Sequence, residues 1–276
     1  MGNHPALMRP WEEWLRPGNS ADDILITGAC SRGSRHTQEG TPCQDAWICL
    51  PVHNGGWVIV AADGLSTARH AREGAEMAVQ TAGEALARSC SEQQQAGYEP
   101  GVLIRQAAGA AHQIILQKAA EQGEHPSSFA STLIIALCIG ETVSVGHIGD
   151  GIVAGVREGE NLILSAPQQG EYANETACLM QHDWEDHLRL GNHELIEACI
   201  IATDGCQGAV AVREKGGYQP YDPFITPLLS CGRQRVIAGH DPRPDLAALL
   251  LSPRMETLSG DDKTLIIMVH RERPDP

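Results

Sequence analysis

The chain has 276 residues, enough to bury a sizeable core, and no linker rich in Pro, Gly or Ser divides it, so one domain is expected. Its 35 acidic residues against 20 Lys and Arg give a net charge of −15, which argues against nucleic acid as a partner because such binding needs a basic surface. The 9 cysteines include no Cys-x-x-Cys pair and fit a reducing compartment better than a disulfide framework or a zinc site. With no signal-peptide-like stretch and no apolar run of membrane-spanning length, we expect a cytoplasmic protein with no membrane partner.

The chain is predicted to begin with an N-terminal extension, residues 1–23, ahead of a single domain over residues 24–272. Three large apolar side chains of the extension have the i, i+3, i+4 spacing of one helix face: Trp11, Trp14 and Leu15. The pair Pro17-Gly18 would end such a helix. We expect this helix to dock on its own domain, and binding to a partner is the alternative that the sequence leaves open.

The next segment predicts a strand followed by a β-hairpin. The predicted strands are Ile24–Ser31, Ala46–Pro51 and the apolar run from Trp57 to Ala62. A loop over residues 32–45 follows the first strand, and the turn at residues 54–56 joins the other two as a hairpin. Because hairpin strands are antiparallel, Asp45 at the start of one and Asp63 at the end of the other should lie at the same edge of the sheet.

The remainder predicts two helices, a strand meander and a closing strand. Small apolar residues recur every three or four positions over residues 68–90 and from Ile104 to Ile115, which is typical of closely packed amphipathic helices. Four strands joined by tight turns would then form an antiparallel meander: Ala130–Ile139, Thr142–Ile148, Ile152–Glu158 and Leu162–Ser165. The last predicted segments are a long surface loop at 166–192, a strand at Glu194–Thr203, helical or irregular material at 206–258 and a strand at 264–270. This order indicates an α+β fold in which helices cover the outer faces of stacked antiparallel sheets.

An aspartate stands at the end of each of four apolar strands. Three strands end in an Asp-Gly pair, at Asp63, Asp150 and Asp204, and a fourth begins just after Asp261-Asp262. One Asp-Gly pair is usually a turn, but four such aspartates on separate strands are hard to explain as turns alone. A strand-end carboxylate followed by a residue without a Cβ can meet a metal ion without steric obstruction. The pattern therefore predicts a carboxylate cluster that binds hard divalent cations.

These motifs resemble those of metal-dependent protein phosphatases of the 2C type, also called the PPM type. The matching segments occur in the order and spacing of that family: Ala62-Asp63-Gly64, His147-Ile148-Gly149-Asp150-Gly151, Ala202-Thr203-Asp204-Gly205 and Gly260-Asp261-Asp262-Lys263-Thr264-Leu265. The segment from Gly40 to Ala46 resembles the bacterial branch of the family. The resemblance extends from about Ile24 to about Val269 and implies an αββα sandwich, in which two antiparallel sheets lie back to back with helix pairs outside.

The resemblance also implies an activity. It implies a serine/threonine protein phosphatase that hydrolyses phosphomonoesters with water activated by two tightly bound ions, Mn²⁺ or Mg²⁺, and a third, weaker ion. Its partners would be a phosphorylated protein and the kinase whose action it reverses. Both ions are hard cations that prefer oxygen ligands, which agrees with aspartates unaccompanied by Cys or His.

The resemblance assigns a role to each carboxylate. Asp63 would bridge the two tight ions, the Gly64 carbonyl would bind one of them, and Asp204 and Asp261 would hold the other. The remaining implied ligands are Asp45, which would orient or ligate a metal-bound water, and Asp150, which would serve the third ion. Outside this set, we expect Asp262 to hydrogen-bond its loop and Thr132 to have a packing role.

Three positions depart from the family pattern. Gln44 replaces a usual Glu, Leu65 replaces a His proposed as general acid, and Gly40 stands where a phosphate-binding Arg is usual. Arg35 or His36 could take over phosphate binding, and His36 is favoured because an imidazole could also protonate the leaving alkoxide. A purely structural role of His36 in its own loop is equally open.

Two other functions compete with the phosphatase. A catalytically weak pseudo-enzyme of the same fold, acting as a binding or regulatory module, is suggested by the three departures. A two-metal hydrolase of small phosphoesters or cyclic nucleotides is the second alternative, although no nucleotide-binding motif supports it. The intact Asp63, Asp204 and Asp261 favour an active protein phosphatase.

Overall fold

The computed structural model describes residues 24–52, 55–92, 99–168 and 176–270. The helix predicted around Trp11 and Trp14 lies outside these ranges, and so do residues 271–272 at the end of the predicted domain. No helix in the described ranges is both long and apolar enough to cross a lipid bilayer.

The described chain forms strands and helices in alternating groups. The strands are β1 (Ile24–Ser31), β2 (Asp45–Val52), β3 (Gly56–Asp63), β4 (Leu133–Ile139), β5 (Thr142–Ile148), β6 (Ile152–Arg157), β7 (Glu160–Ser165), β8 (Arg189–His193), β9 (Ala198–Ala202), β10 (Ala211–Glu214), β11 (Gly217–Pro220) and β12 (Lys263–His270). The helices are α1 (Ser34–Glu39), α2 (Ala71–Glu92), α3 (Pro100–Gln122), α4 (Trp184–His187), α5 (Asp204–Val210), α6 (Asp222–Ile237), α7 (Arg243–Leu250) and α8 (Pro253–Leu258), with a short 3-10 helix at Pro126–Phe129. The two long amphipathic helices and the hairpin β2–β3 are where the sequence predicts them.

The strands form two five-stranded antiparallel sheets and a separate hairpin. The first sheet has the order β1-β12-β9-β6-β7, the second has the order β2-β3-β4-β5-β8, and β10 pairs with β11. In the hairpin β2–β3, Asp45 lies directly opposite Asp63, as the sequence predicts. The α+β class is confirmed, and the layers are helices, sheet, sheet, helices.

Three apolar layers hold the sandwich together. Strand β3 shows how: Val58 and Val60 face the helices α2 and α3, while Ile59 and Ala61 face the other sheet. This alternation explains why the strand is apolar along its whole length, since both of its faces are buried. The remaining layer lies between the first sheet and helices α5 to α8, around Ile225 and Leu250.

The predicted four-strand meander is wrong, because the chain changes sheets in its middle. β5 belongs to the second sheet and β6 to the first, so the two strands do not pair. The crossing runs through Gly149, whose φ of +115° is open to glycine but rarely to other residues. Because the chain crosses from one sheet to the other here, Asp150 lies between the ends of the two sheets.

Several smaller predictions also differ from the structure. Within the predicted loop 166–192, the described residues include α4 and most of β8, and Leu179, Trp184 and Leu188 are buried in the helix-facing core. The strand predicted at Glu194–Thr203 is shorter, because β9 begins only at Ala198. Two further elements are too short for an apolar repeat to show in the sequence: helix α1 in the first loop, and the hairpin β10–β11.

Candidate metal centre

Three aspartates from both sheets meet at one edge of the sandwich. Asp63 ends β3, Asp204 begins α5 directly after β9, and Asp150 lies in the crossing between β5 and β6. One carboxylate oxygen from each lies within 4.8 Å of the others. This spacing is close enough for a single cation to contact all three side chains.

The three carboxylates lie in an open cleft of about 400 Å³. The cleft is lined by Arg35, Gln44, Asp63, Gly64, Leu65, Ser66, Thr132, Asp150, Thr176, Asp204 and Asp261. Arg35 is the only cationic side chain in this lining, against four aspartates. Among the described lining residues, Arg35 can balance one of these four acidic groups, so the cleft keeps an excess of acidic side chains.

Burial raises the pKa values of these carboxyls above their ordinary range. The pKa of Asp204 is raised to about 7, chiefly by burial and then by the charges of Asp150 and Asp261. Burial, followed by the charges of Asp45 and Asp204, raises the pKa of Asp63 well above its usual range. Burial likewise raises the pKa of Asp150. A divalent cation among these groups would favour their charged forms and remove their mutual repulsion.

Asp45 lies beside the cleft and is held by two hydroxyl groups. The Thr203 and Thr264 hydroxyls each donate to Asp45 Oδ2 over 2.8 Å. The second oxygen, Oδ1, is buried without a hydrogen-bond partner, and burial raises the pKa of Asp45 to about 6. Both threonines adjoin predicted ligand motifs, one directly before Asp204 and the other two residues after Asp262, and this adjacency is the signal that the sequence analysis missed.

Thr132 hydrogen-bonds both the N–H and the carbonyl of Asp63, so it does more than the packing role that the sequence predicts. The Asp63 N–H donates to the Thr132 hydroxyl over 2.9 Å, and the Thr132 N–H donates to the Asp63 carbonyl over 2.8 Å. Thr176 acts in a similar way on another carboxylate, because its hydroxyl donates to Asp150 Oδ2 over 2.8 Å. These contacts fix where the carboxylates point.

Gly64 is required by a close approach of two backbone segments. A Cβ added at this position would lie 2.4 Å from the Ala71 carbonyl oxygen. The Gly64 N–H donates to the Gln44 carbonyl over 3.2 Å, which joins the end of β3 to the segment before β2. The glycine of this Asp-Gly pair therefore lets helix α2 begin directly beside the cleft.

The structure pairs Asp261 with Arg35. The Arg35 guanidinium forms an ion pair with Asp261 Oδ2, and the arginine side chain is 49% exposed. The buried Lys263 ammonium donates to the Asp261 carbonyl over 2.9 Å and to Glu256 over 2.8 Å. A predicted metal ligand and a predicted phosphate-binding residue thus occupy one corner of the cleft and contact each other.

His36 lies behind the cleft and is absent from its lining. Its side chain is 5% exposed, and Nδ1 lies 2.8 Å from Asp262 Oδ2. The same aspartate accepts the Gly33 N–H over 2.7 Å and the Gln44 N–H over 2.6 Å. Burial against Asp262 holds the His36 imidazole away from the cleft lining, which favours the structural role over phosphate binding.

The other departures from the family pattern are also placed. Gln44 and Leu65 line the cleft, and Ser66, which the sequence analysis passed over, lies beside Leu65. Gly40 follows the last residue of helix α1 with a φ of +74°. Helices commonly end in this left-handed conformation, and glycine adopts it most easily.

The comparison of the sequence with family models decides the family. The model described as Protein phosphatase 2C matches residues 32–250, most of the chain. The chain belongs to the protein phosphatase 2C family. At the level of this family, the expectation of a metal-dependent phosphoprotein phosphatase, a hydrolase, is confirmed. No curated protein sequence gives a significant match.

Solved structures with the same fold include bacterial phosphatases. A serine/threonine phosphatase of S. agalactiae is 18% identical with a TM-score of 0.60, and the match covers 90% of this protein phosphatase 2C chain and 100% of that chain. The catalytic domain of the phosphatase PstP, in complex with two manganese ions, is 18% identical with a TM-score of 0.61 over 91% of this chain and 99% of that one. Stp1 of Staphylococcus aureus is 11% identical with a TM-score of 0.57 over 89% of this chain and 94% of that one. At these identities the likeness establishes the fold.

Proposed function

We propose that the protein is a serine/threonine protein phosphatase that hydrolyses phosphomonoesters with two bound divalent cations, Mn²⁺ or Mg²⁺, and a weaker third. The observation that carries the proposal is the meeting of Asp63, Asp150 and Asp204 within 4.8 Å in a cleft with a single arginine. Like charges so close together are costly unless a cation lies between them. The substrate would be a phosphorylated protein, and the kinase that modifies it would be the opposing partner.

The donor set fits hard divalent cations. Among the described residues that line the cleft, the charged groups able to coordinate a cation are four carboxylates, and neither Cys nor His is present. Oxygen-only sites suit Mg²⁺ and Mn²⁺, whereas zinc sites usually contain Cys or His. In addition, Asp204 Oδ1 and Asp45 Oδ1 are buried without a hydrogen-bond partner, so each has a lone pair available to a metal or to its water. The two manganese ions of PstP, which has the same fold, agree with this choice.

We assign the ligands as follows. Asp63 would bridge two ions with the Gly64 carbonyl beside it, Asp204 and Asp261 would hold the second ion, and Asp150 would serve the third. When bound, these ions supply an activated water nucleophile and neutralise the charge on the phosphoryl oxygens. Asp45, fixed by the hydroxyl groups of Thr203 and Thr264, would orient the attacking water.

Arg35 is our candidate for binding the substrate phosphate. Its guanidinium lies at the cleft and is half exposed, so it can reach a ligand from solvent. In the structure it neutralises Asp261, and a cation bound at Asp261 would weaken that attraction and release the arginine. The planar guanidinium can then donate two parallel hydrogen bonds to a phosphate dianion.

The pseudo-enzyme alternative rests on Gln44, Leu65 and Gly40, of which the first two line the cleft and can neither carry a charge nor act as an acid. The carboxylates that the two-metal reaction needs are nevertheless together, and this favours turnover. A slower rate on substrates with poor leaving groups would follow from Leu65, because no acid at that position can protonate the alkoxide.

The test is hydrolysis of a phosphothreonine peptide and of p-nitrophenyl phosphate by the purified chain, with Mn²⁺, with Mg²⁺ and with EDTA. We expect turnover with metal and none with EDTA. Asp63→Asn and Asp204→Asn should each reduce kcat/KM by about 100-fold or more, since they remove a direct ligand. Asp186→Asn, which changes an exposed aspartate of α4, is the matched control and should behave as the wild type.

Full activity in EDTA would contradict the metal-dependent reaction. Tight Mn²⁺ binding without turnover on either substrate would instead support the pseudo-enzyme. Turnover of p-nitrophenyl phosphate and cyclic nucleotides but of no phosphopeptide would support the hydrolase of small phosphoesters.

A further inference from the structure

Two thiols meet at the base of the loop that leads into the cleft. Cys30 Sγ, near the end of β1, lies 3.2 Å from Cys43 Sγ, two residues before β2 begins. Cys30 is exposed and Cys43 is partly exposed. The segment between them contains Arg35 and helix α1, and Cys43 directly precedes Gln44 and Asp45.

We propose that Cys30 and Cys43 form a site of reversible oxidative modification, in which a peroxide converts the two thiols to a disulfide that lowers the activity of the cleft. As regulation of that same site, the inference rests on the proposed function. A solvent-accessible thiol next to a second thiol is the arrangement in which oxidation proceeds to a disulfide.

The reaction balances with hydrogen peroxide as the oxidant. The Cys30 sulfur attacks one peroxide oxygen, the O–O bond breaks, and a sulfenic acid and one water form. The Cys43 sulfur then attacks the Cys30 sulfur, the S–S bond forms, the S–O bond breaks, and a second water leaves with the thiol proton. In sum, two thiols lose two electrons and two protons to one peroxide, and a dithiol reductant returns them by thiol–disulfide exchange.

The other cysteines show why this pair is the reactive one. Cys138 and Cys199 also contact each other, but both lie between the two sheets with at most 1% of their surface exposed, where a peroxide has no access. Cys231 on α6 is exposed and no other thiol contacts it among the described residues, so its oxidation would not end in an internal disulfide. In the described chain, accessibility and a neighbouring thiol coincide at Cys30 and Cys43.

Forming the bond requires movement, and the structure indicates which side moves. The sulfur atoms must approach from 3.2 Å to about 2.0 Å, a shift of about 1.2 Å. Cys30 lies inside the antiparallel ladder of β1 with β12, opposite Thr264. Cys43 lies in the irregular segment between α1 and β2. The displacement should therefore fall mainly on Cys43 and its neighbour Gln44.

A shift of Gln44 reaches the cleft through two backbone hydrogen bonds. Its N–H donates to Asp262 Oδ2 over 2.6 Å, and its carbonyl accepts the Gly64 N–H over 3.2 Å. Gly64 directly follows Asp63, and Gln44 directly precedes Asp45, so the disulfide would displace two carboxylates of the proposed centre. A misplacement of about 1 Å in a catalytic group can cost about 100-fold in rate.

The test treats the full-length, Mg²⁺-loaded chain with hydrogen peroxide, because Mg²⁺ itself has no redox chemistry. Peptide mapping by mass spectrometry without reductant should show a peptide containing Cys30 linked to one containing Cys43. We expect kcat on a phosphothreonine peptide to fall by about 10- to 100-fold, and dithiothreitol to restore it. Calorimetry should show that the oxidised chain binds Mg²⁺ at least about 10-fold more weakly than the reduced chain.

Two variants separate this site from general oxidation. Cys30→Ser should keep the activity of the reduced wild type and resist peroxide. Cys231→Ser, which changes another exposed cysteine, should lose activity under peroxide as the wild type does. The inference is overturned if no link between Cys30 and Cys43 forms, if the linked protein keeps its reduced-state kcat and Mg²⁺ affinity, or if Cys30→Ser remains sensitive.

The experiment also keeps the two proposals apart. If the reduced chain hydrolyses neither substrate, the proposed phosphatase activity fails. The disulfide inference is then still decided by the peptide map and by the change in Mg²⁺ affinity, which need no turnover.

Discussion

At the scale of single residues, the cleft is defined by carboxylates whose burial opposes their own charge. Asp204 has its pKa raised to about 7, against an ordinary value of 3.8. A folded-state pKa above the unfolded value means that the folded chain binds this proton more tightly than the unfolded chain does. The resulting stabilisation is complete below pH 3.8 and is lost as the pH rises through about 7.

The first prediction follows for the chain without metal. In EDTA, the melting temperature of the wild type should fall by about 1–2 °C between about pH 6.5 and pH 8, as the folded chain completes the loss of the Asp204 proton. In this window the buried His147, whose lowered pKa of about 3 acts in the opposite direction, has already made most of its contribution. Calorimetric scans of the wild type, of Asp204→Asn and of the exposed control Asp186→Asn measure the effect.

Asp204→Asn should reduce the pH dependence, because an amide has no proton to lose, while the raised pKa of Asp63 leaves a remainder, and Asp186→Asn should keep the full dependence. Saturating Mn²⁺ should also abolish the fall in the wild type, since a bound cation stabilises the charged form. A melting temperature that rises with pH in EDTA would contradict the assignment of a raised pKa to Asp204.

How far single residues could be predicted depended on their neighbours in sequence. Asp63, Asp150 and Asp204 were identifiable because each follows an apolar strand and precedes glycine, and the structure brings all three together. Thr203 and Thr264 stand within the ligand motifs, but their bonds to Asp45 could not be predicted, because Asp45 is distant from both in the chain. The sequence left His36 open between phosphate binding and a structural role, and only the fold shows that it is buried against Asp262.

At the scale of elements, helix α1 separates the roles of two neighbouring side chains. Arg35 faces the cleft, and His36 faces Asp262. The second prediction is that Arg35→Ala raises KM for both a phosphoserine peptide and p-nitrophenyl phosphate by about 10-fold, because it removes a charged hydrogen bond to phosphate. Arg88→Ala, at an exposed arginine on α2, is the matched control and should leave KM unchanged.

His36→Ala should act differently, through the structure of the loop. It leaves Asp262 Oδ2 without one of its partners in a buried position, which should cost about 1–3 kcal/mol of unfolding free energy. Both substrates should slow in the same proportion, whereas loss of a general acid would slow only the phosphoserine peptide. A lower rate on the phosphoserine peptide alone, with an unchanged rate on p-nitrophenyl phosphate, would instead identify His36 as the general acid.

Helix α5 provides a third prediction with an internal control. A Cβ at Gly205 would lie 1.9 Å from the Asp262 carbonyl oxygen, whereas one at Gly208 would lie 4.0 Å from its nearest neighbour, Leu258. Gly205→Ala should therefore lower the unfolding free energy by roughly 3 kcal/mol, since backbone must shift. Gly208→Ala, on the exposed side of the same helix, should raise it by about 0.5–1 kcal/mol, because alanine favours the helix.

Urea unfolding of the two variants measures this difference. Equal stabilities would show that the approach of Asp262 to α5 is not a tight contact. Gly205→Ala should also weaken metal binding, because it displaces the segment that carries Asp261.

Helices and strands whose apolar pattern repeats over many residues could be predicted. Short elements, and the connection that crosses between the sheets, could not. Helices α2 and α3 show their apolar stripe over many turns, and their positions were predicted well. The link from β5 to β6 contains glycines that suit a hairpin as well as a crossing between sheets, so local chemistry could not distinguish them. Strand β8 is polar at most positions because it lies at the edge of a sheet, and it was mistaken for loop.

At the scale of the whole molecule, the sandwich brings together groups that are far apart in sequence. Asp63 is the last residue of β3 and Asp150 follows β5, and both strands belong to the second sheet, whereas Asp204 follows β9 of the first sheet. The centre therefore exists only when the two sheets pack together. The net charge of −15 would by itself favour cation binding anywhere on the surface. A specific centre must therefore be distinguished from this general attraction.

Calorimetric titration of Mn²⁺ into the EDTA-stripped chain at about 0.15 M salt makes that distinction, because screening weakens diffuse binding to surface charge. We expect two tight sites in the wild type and in Asp186→Asn, loss of tight binding in Asp63→Asn, and retention of both tight sites in Asp150→Ala. Asp63→Asn and Asp186→Asn remove the same charge, so any difference between them belongs to the cleft. Equal Mn²⁺ binding by these two variants would contradict the assignment of Asp63, and no tight binding by the wild type would contradict the metal centre itself.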